Sequence, residues 1–221
     1  MFFVARMSMV LPSTVLLLVT GAAAAPRKHT VVLGQWHSMK TASVSGDAGA
    51  VRVRQLWIDE QLKEYTAGPA HSITDRVFVI RRAYRVNDAL PETALREKKE
   101  KRPPWVWRLG GWISVNRYTG RLMQLNLPAF DEGNSQASWY RDYAAYCGTS
   151  EDGGKAYLVI WQLGKRKPLL RREFAGSGCP APRWQRDPSR VTFLAGGETN
   201  TFVVDPPGAG LAETDEAELP R

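Results

Sequence analysis

Apolar and polar residues alternate with a period of two along most of the chain, the spacing of half-buried strands. In residues 50–58, Val51 and Val53 point one way and Arg52 and Arg54 the other. In residues 75–86, Phe78, Ile80, Tyr84 and Val86 share one face, with Arg82 interrupting it. Val77, Val79, Arg81, Ala83 and Arg85 share the opposite face. Shorter apolar runs at Val31-Val32-Leu33, Trp105-Val106-Trp107, 112–116 and 121–125 predict further strands. Arg117-Tyr118-Thr119-Gly120 joins the last two as a compact hairpin turn. Residues 34–49 are polar and read as a loop, and Ala67-Gly68-Pro69 reads as a break. About ten short strands with turn residues between them, and at most one short helix starting near Pro91, predict an all-β antiparallel fold.

The run Tyr157 to Trp161 departs from simple alternation, because both of its faces are apolar. Leu158 and Ile160 lie on one side; Tyr157, Val159 and Trp161 lie on the other. Such a strand is covered on both sides, by stacked sheets or by a sheet and a helix. It belongs to a pair of similar passages. Trp139-Tyr140-Arg141-Asp142 leads through a Glu151-Asp152-Gly153-Gly154 turn to Tyr157-Leu158-Val159-Ile160. Trp184-Gln185-Arg186-Asp187 leads through Gly196-Gly197 to Phe202-Val203-Val204. Trp139 to Trp184 and Tyr157 to Phe202 are both 45 residues. The passages resemble the WD40-type and TolB-type propeller repeats, which open on Trp-x-x-Asp and pass to an apolar strand. The Pro-Asp-Gly turn of the TolB-type repeat is Arg141-Asp142-Tyr143 and Arg186-Asp187-Pro188 here. The resemblance, confined to residues 139–205, implies propeller-like stacked hairpins or blades; a β-sandwich is the alternative. As a whole the chain resembles uncharacterised exported bacterial proteins of similar length, and that resemblance implies no activity.

Length and charge add organisation. The chain has 221 residues, 43% of them hydrophobic, enough for one domain with a core. Residues 1–25 predict a signal peptide: Arg6 is the basic end, Val15-Leu16-Leu17-Leu18-Val19 the apolar run, and Ala23-Ala24-Ala25 the cleavage site. Residues 26–205 form the predicted single domain. Residues 206–221 carry Glu213, Asp215, Glu216 and Glu218, and read as a disordered acidic tail. The net charge is +8, and those four acids make the remaining body more basic still. Beyond the leader no run is long and apolar enough to span a membrane, so the expected localisation is periplasmic or secreted. The only cysteines are Cys147 and Cys179. An even count in an exported chain predicts a disulfide rather than two free thiols.

Candidate chemistry is sparse. His29, His37 and His71 lie in separate segments without metal-ligand spacing, and there is no Walker loop, Gly-x-Ser-x-Gly or His-Glu-x-x-His. No catalytic residue, metal site, cofactor or nucleic-acid motif is assigned. The mixed-sign run from Arg96 to Arg102 reads as a solvated loop. Trp105 and Trp107 are the candidates for an exposed aromatic platform. The one local charge focus is Lys165, Arg166 and Lys167 at a hairpin tip, with Arg171 and Arg172 on the return strand. The expected function is a non-enzymatic exported binding or structural module of unknown ligand, contacting an anionic envelope polymer through these residues. Alternation puts Arg171 and Arg172 on opposite faces and lets at most one align with the tip. The rival is an exported hydrolase of a glycan or ester, with His37 or His71 as base.

Overall fold

A computed structural model describes residues 28–40, 49–86, 105–176, 178–187 and 189–204, and the backbone of 212–213. The described residues form strands only, in antiparallel sheets. The leader, the segment after Pro91, the run at 96–102 and most of the acidic tail lie outside them.

The first sheet holds β1 (Val31–Leu33), β2 (His37–Lys40), β3 (Ala50–Ile58), β4 (Gln61–Ser72), β5 (Val77–Val86), β6 (Val106–Asn116) and β7 (Leu122–Leu125). Both β1 and β2 pair with β3, and the other strands follow in chain order. Two expectations are corrected here. Strand β2 lies within the stretch read as a loop, because Met39 is its single apolar residue and leaves no period to see. Strand β4 runs straight through Ala67-Gly68-Pro69. Gly68 takes φ 71°, and the β4–β5 register shifts between Ala67 and His71, so the Gly-Pro pair is a bulge rather than an end.

This sheet curls around its own core of Leu56, Phe78, Ile80, Ile113 and Val115, with Val31, Leu33 and Leu122 packed against it. The curl brings the start of β1 to the β6–β7 turn, where the His29 amide donates to the Tyr118 carbonyl at 3.0 Å. The opposite face offers Val79 and Trp112 to the second sheet.

The second sheet is a meander of β8 (Ser138–Tyr140), β9 (Tyr143–Thr149), β10 (Ala156–Gln162) and β11 (Leu170–Phe174). The third is a meander of β12 (Arg183–Gln185), β13 (Arg190–Ala195), β14 (Glu198–Val203) and β15 (Ala212–Glu213). The second lies between the other two, and β10 is covered on both faces, as its sequence requires. Val159 and Trp161 pack with Val79, Trp112 and Leu125 of the first sheet. Leu158 and Ile160 pack with Val191, Phe193 and Phe202 of the third. The layering is sandwich-like, and the described residues close no ring or barrel.

Trp139 and Trp184 occupy the same register position in their meanders. Trp139 faces Ala144, which faces Trp161; Trp184 faces Val191, which faces Phe202. Each row packs toward the preceding sheet. Trp139 lies against Trp112, and Trp184 donates from Nε1 to the Ser138 carbonyl at 3.1 Å. The 45-residue match of Tyr157 with Phe202 does not survive, since Phe202 stands where Trp161 does. The β9–β10 turn (150–155) is longer than the β13–β14 turn (196–197), which offsets the second half of the repeat. Of the residues expected inside, Tyr146, Leu158, Ile160 and Phe193 are buried. Val203 is only half-buried, because Phe202 and Val204 take the inward positions on either side of it.

Residues 126–137 fasten the first sheet to the second. The Tyr146 hydroxyl donates to the Pro128 carbonyl at 2.7 Å, and Ser135 Oγ to the Cys147 carbonyl at 2.6 Å. Gly148 lies so close to the Ala129 carbonyl that no Cβ fits there. From the first sheet, the buried Arg81 guanidinium donates to the carbonyls of Gly110 and Glu132. Burial lowers the Arg81 pKa, against the opposing pull of Glu132 and Asp131. On the far side the predicted disulfide is present: Cys147 of β9 joins Cys179, before β12, with Cα atoms 5.8 Å apart.

Candidate anion-binding end of the sheet stack

The β10–β11 connection, residues 163–169, is the tip on which the sequence concentrates charge. Gly164 supplies the positive φ of 82° the turn needs. Trp161, itself buried, donates from Nε1 to the Lys165 carbonyl at 2.8 Å, and the Lys165 amide donates to the Gln162 carbonyl at 3.0 Å. The tip backbone is thus tied to the core, while Lys165, Arg166 and Lys167 remain exposed.

The five predicted residues do not act as one group. Lys165, Arg166 and Lys167 are contiguous at the tip. Arg171 pairs across to Val159 and Arg172 to Leu158, so strand alternation sends them to opposite faces. The Arg171 guanidinium lies 4.1 Å from the centre of the Tyr157 ring, a cation–π contact that holds it along the strand. Charge on β11 also suits its place at the sheet edge, where like-charged side chains discourage strand addition.

Beside the tip lies the β8–β9 turn. The Leu163 amide donates to the Asp142 carbonyl, and Gln162 Nε2 to Asp142 Oδ2, each at 2.8 Å. Arg141 takes φ 50° there, with its guanidinium 5.4 Å from the Tyr140 ring centre and exposed to solvent. The Arg141 carbonyl accepts from His71 Nε2 at 2.8 Å, which joins this turn to the end of β4 in the first sheet.

From there the contacts continue. Arg117 Nη2 donates to Ser72 Oγ at 3.3 Å, and the Arg117 amide to the Arg76 carbonyl at 2.7 Å. Tyr118, exposed at the β6–β7 turn, carries Arg76 at 5.2 Å and Lys28 Nζ at 5.8 Å from its ring centre. Sequence reading missed Lys28, Arg76, Tyr118 and Arg141. Arg76, Tyr118 and Arg141 come from turns far apart in the chain, Lys28 lies just before β1, and neither Arg76 nor Arg141 has a like-charged neighbour.

The other candidates separate. Trp107 is buried and Trp105 exposed, so they form no shared platform. Trp105 instead lies under the Arg85 guanidinium at 5.2 Å. His71 stacks on Trp139 as well as bonding Arg141, and His37 is exposed on β2. His29 Nδ1 meets Asp59 Oδ2, a pair brought together by β1–β3 pairing and invisible in the sequence. Among the described residues no three His, Cys, Asp or Glu side chains group to hold a metal, and no helix is long and apolar enough to cross a membrane. No family model, curated protein or solved structure matches the chain.

Proposed function

We propose that this protein is an exported, non-enzymatic binding module that contacts an anionic envelope polymer through the end of its sheet stack. The observation that carries the reading is the tip itself. Three consecutive exposed cations stand on a turn whose backbone is held by the buried Trp161. A fixed tip brings its charges to a polyanion without first ordering a loop, which lowers the entropic cost of contact. The net charge of +8 adds long-range attraction, and the cysteine pair fits an oxidising, extracytoplasmic setting. The two meanders with Trp139 and Trp184 at equivalent positions are read as diverged copies of one blade-sized unit, which serves here as the scaffold. Of the two histidines named for the rival hydrolase reading, His71 has its Nε2 engaged by the Arg141 carbonyl and His37 is exposed on β2.

The test is retention on immobilised polyuronate across a salt gradient. Intact protein is retained at low salt and elutes as salt rises. The Lys165→Ala/Arg166→Ala/Lys167→Ala variant elutes earlier, with a logarithmic salt slope shallower by about two to three ions. Identical elution of the two proteins would reduce the tip to a solvated hairpin end.

A further inference from the structure

The hairpin tip is one end of a longer feature. From Lys167 back through Lys165, the Asp142–Leu163 bond leads to Arg141. The Arg141–His71 bond leads to Ser72 and Arg117, and the Arg117–Arg76 bond to Tyr118 and Lys28. Every link is a direct hydrogen bond, ring contact or chain neighbour, so these groups form one connected series across the seam between the first and second sheets. Lys28, Arg76, Arg141, Lys165, Arg166 and Lys167 are all exposed along it. Three carboxylates lie within it. Asp142 accepts from Gln162, Asp75, exposed, adjoins Arg76, and Asp59 pairs with His29 next to Lys28. The six exposed cations outnumber these three acids, and the excess lies at the tip.

We infer that this strip is a single extended binding site for a linear anionic polysaccharide, with a second subsite at Lys28, Arg76 and Tyr118. The inference rests on the tip as an anion-binding element and adds the second contact. Three considerations select the ligand. Charges spread over turns of two sheets, rather than converging on a point, suit a chain and not a small anion. Tyr118 is nearly half exposed with Lys28 and Arg76 over its ring, so the ring holds both cations at the surface, where the acidic groups of a sugar chain can meet them. The disulfide fits a compartment in which acidic glycans, rather than nucleic acids, are the abundant polyanions.

The distance between subsites gives the inference its distinctive prediction. Stacked sheets lie about 10 Å apart, whereas the Debye length at physiological ionic strength is about 8 Å. A short oligomer at one subsite is thus largely screened from the other. A long chain engages both, and its second contact is intramolecular.

The experiment compares polyuronate with a short oligouronate by titration at physiological salt, using intact protein and two variants of the full chain. One is the tip triple alanine variant; the other is Lys28→Gln/Arg76→Gln, which keeps the side-chain stems. Unchanged melting temperatures establish that both variants fold. Each variant is expected to weaken polyuronate binding by on the order of tenfold or more. Oligouronate binding should survive in each at the remaining subsite. If the tip variant alone weakens polyuronate binding, the strip is overturned while the tip reading stands. If neither variant does, both fall. A single-stranded oligonucleotide of matched charge bound more tightly than polyuronate would overturn the assignment to a glycan.

Discussion

At the scale of single residues, the seam between the first two sheets depends on polar groups with fixed partners. Asp131 is the clearest case. Burial alone would raise its pKa. Its carboxylate, however, accepts from Asn134 Nδ2 and from the amides of Gly133 and Asn134, and it lies near the Arg81 guanidinium. Together these outweigh burial and hold the group below the ordinary carboxylate range. A depressed folded-state pKa contributes stability that is fully present above the unfolded value, about 3.9. That stability is lost as pH falls through the folded value. Acid unfolding followed by fluorescence should therefore show a shallower loss of stability below about pH 4 in Asp131→Asn than in the native chain. Parallel acid limbs for the two proteins would mean that the carboxylate contributes nothing to holding residues 126–137.

Among the elements, β10 is the strand with the most to lose. Val159 and Ile160 are fully buried on opposite faces, one against the first sheet and one against the third. Truncating either leaves a void in a close-packed layer. Val159→Ala and Ile160→Ala should each cost about 2 kcal/mol or more in urea unfolding. A strand with one solvent face would tolerate one of the two at about 0.5 kcal/mol or less. Such an asymmetry would contradict the central position of the second sheet. The adjoining hairpin shows the limits of local pattern. Its tip is legible as Gly164 followed by three cations, and alternation alone sends Arg171 and Arg172 to opposite faces, but only the folded hairpin shows Arg171 held against the Tyr157 ring.

For the molecule as a whole, the question is what holds the third sheet to the second. Apolar packing of Val191, Phe193 and Phe202 contributes most of the contact, and the Cys147–Cys179 bond fixes the connection from β11 to β12. It closes a separation of 32 residues, for which loop-closure entropy gives about 3–4 kcal/mol. The Cys147→Ala/Cys179→Ala variant should lose stability on that order in chemical denaturation. Reductant should shift the native protein but not the variant. Equal stability of the two proteins under oxidising conditions would leave packing alone as the joint between the sheets.

The sequence by itself determined the all-β class, most strand positions and the double coverage of β10. These follow from side-chain alternation, a property of neighbours along one strand. It also determined the hairpin tip, because a turn glycine and its charges are adjacent in the chain. The cysteine pairing followed from there being only two. It missed β2, misread the Gly68-Pro69 bulge as an end, and misaligned Phe202, since one apolar residue shows no period and turn length is not periodic. The order of the sheets and the curl of the first were decided only in three dimensions. So was the cationic strip. The turns that carry Arg76, Tyr118 and Arg141 are linked when the Arg141 carbonyl meets His71 and the Arg117 side chain meets Ser72. Contacts of that kind join turns separated by 45 to 70 residues, and no local pattern in the chain encodes them.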